Sequence, residues 1–163
     1  MKTKHKIYWG IAAVISLAVI YYILSLAGQN SQTCATAPAT EIDVGGDENV
    51  VYHIHPTLTI TINGEEIVIP THIGLNSGIM RPLHTHDTSG EIHVESPCKR
   101  DFTLGDFFDV WGQNFNSTCI MDSCSDADHT LTMYVNGIES TEYENLILKD
   151  KNEIEIVYAE KEG

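Results

Sequence analysis

One short pattern occurs twice in this chain and restricts what it can become. Leu58-Thr59-Ile60-Thr61-Ile62-Asn63-Gly64 returns position for position as Leu131-Thr132-Met133-Tyr134-Val135-Asn136-Gly137. Apolar residues at every second position describe a strand with one buried face, and Asn-Gly supplies the positive φ angles of a tight type I′ turn. A helix could not use this period. The repeat predicts a mainly β fold: one small β-rich domain of two related, hairpin-containing halves around one short helix.

In the first half, strand 58–62 runs through Asn63-Gly64 into strand 65–69, so opposed residues carry numbers summing to 127. Ile60 then faces Ile67, and Leu58 faces Ile69. Carried further, this register sets His55 opposite His72, with His53 on the same face. Pro56 and Pro70 cannot donate to the ladder and are the points where a bulge would shift it. The second half runs on through 145–148 and a turn at 149–152 to the alternating strand Glu153 to Tyr158. Between the halves, Thr103 can cap a helix with Asp106 at its third position, and Phe102 and Phe107 can form its staple. Leu104, Phe107, Phe108 and Trp111 supply a core stripe.

Six histidines fall within forty-one residues: His53, His55, His72, His84, His86 and His93. Each H-x-H pair on a strand presents both rings to one side of the sheet. Pro82 to Glu95 forms a second predicted hairpin with Asp87 to Gly90 as its turn. An even loop puts Leu83, Thr85, Ile92 and Val94 on one face and His84, His86, His93 and Glu95 on the other. A three-residue loop would turn His93 away. The apolar alternation favours the even loop.

Imidazole is the commonest protein ligand for zinc and copper, and nitrogen outnumbers oxygen in this cluster, which argues against magnesium or calcium. A lone histidine in a sheet is usually a hydrogen-bonded core residue. Six with consistent facing favour a transition metal, copper before zinc, with His53, His55, His72, His84, His86 and His93 as the candidate ligands. His129, just before the second repeat, reads as a surface residue.

Residues 7 to 28 contain no charge, enough to cross the roughly 30 Å hydrocarbon core as a helix. Lys2, Lys4 and Lys6 precede them, which predicts residues 1–6 in the cytoplasm, 7–28 as a single transmembrane anchor and the rest outside the cell membrane. A cleaved signal peptide ending near Ala35-Thr36-Ala37 is the alternative, although the apolar run exceeds the usual h-region. Residues 29–49, polar and without an apolar period, read as a flexible stalk, and 50–163 as the histidine-rich domain. Beyond the span, six basic residues stand against all 23 acidic ones, a formal charge of −17. Such a surface repels nucleic acid and anionic lipid.

Four cysteines, Cys34, Cys98, Cys119 and Cys124, lie on the exported side, where thiols oxidise. Cys119 and Cys124 are spaced to clip a short loop as a disulfide; C-x4-C departs from zinc-knuckle spacing. Asn116-Ser117-Thr118 is a glycosylation sequon, meaningful where exported chains are glycosylated.

The run Leu83-His84-Thr85-His86-Asp87-Thr88-Ser89-Gly90-Glu91-Ile92-His93-Val94-Glu95-Ser96, with the helix segment 102–112, resembles a family of uncharacterised exported or membrane-anchored prokaryotic proteins. The resemblance covers the region from His53 to the last strand and implies an extracytoplasmic module, with no activity attached. Gly78, His84, His86 and Glu91 also fit the spacing of the first cupin motif. That motif's closing glycine is Cys98 here, and no second motif follows.

These observations predict a membrane-anchored metal-binding protein without catalysis of its own, handling metal at the outer face or serving as an accessory subunit of a membrane complex. Two alternatives stand beside it. One is a cupin-like metal-dependent enzyme with Asp87, Glu91 or Glu95 as general base, although no H-E-x-x-H, P-loop or nucleophile-elbow motif is present. The other is a non-catalytic interaction domain whose histidines hydrogen-bond within a polar core.

Overall fold

The computed structural model describes residues 15–24 and 34–161. Two units are separated at Thr36 and Ala37. In the first, residues 15–24 form helix α1, and their side chains are exposed. The rest of the expected span, 7–14 and 25–28, lies outside the described residues. Among the described residues, no helix is long and apolar enough to cross a membrane.

The second unit is mainly β. Its strands are β1 (Tyr52–Ile54), β2 (Thr57–Ile62), β3 (Glu65–Glu66), β4 (Leu75–Asn76), β5 (Ile79–Met80), β6 (Leu83–His84) and β7 (His93–Ser96). Helix α2 (Leu104–Trp111) follows, then β8 (Cys119–Ile120), β9 (Ser123–Cys124), β10 (His129–Val135), β11 (Ile138–Ser140) and β12 (Glu153–Glu160).

The repeated segments become β2 and β10, and the closing strand β12 lies between them in a five-stranded sheet ordered β11-β10-β12-β2-β3. β12 is antiparallel to β10 and parallel to β2. Register aligns the apolar alternation of all three: Ile156 pairs with Met133 on one side and Ile60 on the other, and Ile154 pairs with Leu58. Leu58, Ile60, Leu131, Met133, Ile154 and Ile156 are all buried. Both Asn-Gly pairs adopt the left-handed conformation that the hairpins need, with φ 51° and 83° at Asn63-Gly64 and 53° and 75° at Asn136-Gly137.

Helix α2 begins at the expected capping box. The Thr103 hydroxyl accepts from the Asp106 amide, and the Asp106 carboxylate accepts from the Thr103 amide; Gly112, with φ 75°, ends the helix. Leu104, Phe107 and Phe108 are fully buried, while Trp111 is half-buried and stacks on Phe108 at 5.6 Å. A Cβ on Gly105 would stand 2.8 Å from the Glu144 carbonyl oxygen, so glycine lets the helix lie against the Tyr143–Asn145 turn.

Three expectations need correction. The stalk does not extend to residue 49: Ala39, Ile42 and Val44 are buried, the Val44 amide donates to the Met80 carbonyl at 2.8 Å, and Arg81 Nη1 donates to the Ile42 carbonyl at 3.0 Å. Three apolar side chains in a polar segment were enough to anchor it. The first hairpin keeps its register, with Thr61 opposite Glu66, Ile62 opposite Glu65, and the Ile67 amide bonded to the Ile60 carbonyl. It ends there, so His55 and His72 never meet across it. The second hairpin pairs only Leu83 with Val94 and His84 with His93 before its arms part.

Cys119 and Cys124 form the expected disulfide across the β8-β9 hairpin, and no cysteine is free. Unreduced peptide mapping should recover them in one linked peptide, and free thiols at both would count against the pairing. Closing so short a loop contributes about 2 kcal/mol by chain entropy, which reduction should remove.

Candidate metal centre

A second, three-stranded sheet, ordered β1-β7-β6, builds the site. Its central strand β7 carries His93 and Glu95, two residues apart and therefore on one face. On one side β1 sets His53 opposite Glu95; on the other, β6 sets His84 opposite His93. The reverse face holds Leu83, Ile92 and Val94, all inaccessible to solvent. Apolar burial on one side thus forces the histidines to the other. The even-loop parity is what the structure shows.

His55 and His86 extend these strands by one further i, i+2 step. His55 is pinned by its backbone: its amide donates to Asp150 Oδ1 at 3.0 Å, and its carbonyl accepts from the Lys151 amide at 3.1 Å. Beyond His84 the arms separate because their backbone groups bond elsewhere. The Thr85 carbonyl accepts from the His72 amide, the Thr85 amide donates to the Ile73 carbonyl, and the Ile92 amide donates to the Pro56 carbonyl. Gly90, with φ 82°, closes the loop against β2; a Cβ there would lie 2.3 Å from the Leu58 carbonyl oxygen.

Five of the six predicted histidines come together. Their ring centroids lie 4.4 Å apart for His53 and His55, 4.6 Å for His55 and His93, 4.4 Å for His86 and His93, and 4.9 Å for His84 and His86. Two triads can hold a metal ion: His53, His55 and His93, and His84, His86 and His93, with ligand atoms in each within 4.8 Å of one another. His53 and His86 are exposed, His55 and His93 half-buried, and His84 fully buried.

His72 stands apart. Its backbone is left-handed, φ 64°, in the turn that follows Pro70; its side chain is exposed, and its Nδ1 bonds the Thr71 hydroxyl at 2.8 Å. His129 also belongs elsewhere, stacked on Tyr158 at 5.3 Å with Nδ1 3.1 Å from Asp126 Oδ1.

The most informative atom is His84 Nε2. Nδ1 lies 3.0 Å from the Arg81 carbonyl oxygen, which can only accept, so Nδ1 carries the proton and Nε2 holds the lone pair. Nε2 is buried and has no hydrogen-bond partner. An unsatisfied buried acceptor is costly, and a carbonyl that sets the tautomer is the usual second partner of a metal-binding histidine. Burial holds His84 far below the ordinary imidazole range, at about 4, and also lowers His93. Both are therefore neutral at pH 7, the form that donates to a metal.

Two carboxylates complete the centre. Glu95, buried, brings Oε1 to 2.9 Å from His53 Nε2 and 3.4 Å from His93 Nδ1. Glu91 Oε1 lies 3.2 Å from His93 Nε2, so it reaches the cluster although it sits at the end of the loop. Glu95 was readable as a neighbour of His93 from the i, i+2 rule alone. The same rule places Glu91 two residues before His93, although its position at the turn left its part in the site open in the sequence. Compared with family models, curated proteins and solved structures, the chain has no match.

Proposed function

We propose that this chain is a membrane-anchored, extracytoplasmic module that binds a divalent transition-metal ion, copper in preference to zinc, for metal handling or as an accessory subunit of a membrane complex. The observation that carries the reading is His84 Nε2, a buried lone pair with its tautomer already set, beside four further imidazoles. Imidazole and carboxylate donors suit divalent ions. Soft Cu(I) would call for thiolate, and every cysteine is tied in a disulfide. Those disulfides, the uncharged run 7–28 and the motif-level likeness to exported prokaryotic proteins all support the placement outside the membrane.

A polar core fits less well, because a histidine kept for hydrogen bonding would not leave Nε2 unpartnered in the interior. A metal-dependent enzyme, cupin-like or otherwise, is the second reading. It is favoured by one feature: the exposed carboxylate of Glu91 beside His93, where a general base would face a solvent-accessible metal.

Elemental analysis of the full, untagged chain extracted from the membrane fraction tests the proposal. Stoichiometric copper or zinc is the expected result. Metal-free protein after loading with either ion counts against the metal reading, and recovery in the soluble fraction counts against the anchor. Hydrolysis or oxygen consumption by the loaded protein would favour the enzyme.

A further inference from the structure

Five imidazoles exceed what one tetrahedral ion uses, and their arrangement divides them. Metal–nitrogen bonds are about 2.0–2.1 Å, so donors to one ion stand no more than about 4 Å apart. The His53–His55 pair meets this within a small ring adjustment on one side of His93, and the His84–His86 pair on the other. Among the described residues, no ligand grouping joins His53 or His55 with His84 or His86. His93 alone belongs to both triads. Its two nitrogens also face different carboxylates, Nδ1 toward Glu95 and Nε2 toward Glu91.

We infer that the cluster takes two divalent ions side by side, one in each triad, with the His93 ring as the bridge between them. The inference rests on the metal-binding reading proposed above. The first ion takes the lone pair of one His93 nitrogen. The second displaces the proton from the other: the N–H bond breaks, a metal–nitrogen bond forms, and the proton leaves to water. No electron is transferred. The added positive charge is offset by the bridging imidazolate, by Glu95 on the first triad's side and by Glu91, within a strongly acidic domain. Strand register explains the geometry: β7 is the central strand, so a histidine on it is the one residue reached from both β1 and β6.

Titration of the full, metal-stripped chain with Cu(II) at pH 7, followed by electron paramagnetic resonance, tests this. Two equivalents should bind, and the second should diminish the isolated-Cu(II) signal, because an imidazolate couples the two spins. His53→Ala and His86→Ala, both at exposed positions outside the packed core, should each bind one equivalent with an uncoupled signal. Saturation of the parent at one equivalent overturns the inference and leaves the metal-binding reading standing. Two equivalents with simply additive signals overturn the bridge, as does retention of two by either variant. Absence of binding at any concentration overturns both readings.

Discussion

Replacing His93 with alanine should weaken binding of Cu(II) or Zn(II) by the full chain by about a hundredfold or more, whereas His72→Ala and His129→Ala should leave it within about twofold. The asymmetry follows from position. His93 belongs to both triads, so its loss leaves only two imidazoles on either side. His72 and His129 are equally good ligands chemically, but one lies in the turn after Pro70 and the other is bonded to Asp126. Competition titration against a chelator of known affinity, with circular dichroism to confirm folding, measures the difference. If His93→Ala binds as tightly as the parent, the cluster is not the metal site. If His72→Ala loses as much, the turn containing it must rearrange to reach the others.

The metal-stripped protein should lose stability as pH falls from about 6.5 toward 4. His84 titrates near 6.5 when unfolded, and burial lowers it to about 4 in the folded state. Within that window the unfolded chain binds the extra proton, so acid favours unfolding; above it the contribution is fully present. The shift corresponds to at most roughly 3 kcal/mol, enough to consume much of a small domain's margin. Urea midpoints at pH 7 and 4.5 measure the loss. His84→Leu, which keeps the site apolar, should be less sensitive to pH than the parent, and the difference isolates this residue from the acidic groups that titrate in the same range. Equal sensitivity in both proteins would show that His84 is not buried neutral. Saturating metal should raise the parent's midpoint at pH 7 and help progressively less as protons compete for the same lone pairs.

Local rules carried far in this chain. The two Asn-Gly hairpins, the matched apolar faces of β2 and β10, the capping box of α2 and the Cys119–Cys124 clip all depend on residues within a few positions of one another. The same holds for the facing of the histidines, because a buried Leu83, Ile92 and Val94 leave His84 and His93 only one side to occupy. What local rules could not decide was which strands would be neighbours. Extending the first hairpin's register brought His72 to His55, but the ladder ends at Ile60 and Ile67, before either proline, because the loop at Gly90 and Glu91 takes that edge of β2: the Leu58 amide donates to the Gly90 carbonyl and Thr57 bridges to Glu91. The backbone beyond found other partners: β1 joined β7, and the His72 turn bonded to Thr85.

The sequence by itself determined that this is a β-rich domain whose histidines share a face, since side-chain alternation and turn chemistry act over a few residues. Only the tertiary structure decided that His53 and His55 arrive through β1, that His93 lies between the two pairs and that residues 37–49 belong to the domain. The β1–β7 pairing and the docking of residues 37–49 onto Met80 and Arg81 join segments far apart in the chain. There, hydrogen bonding of every buried backbone group and burial of a few apolar side chains select one arrangement among several that the local pattern permits equally.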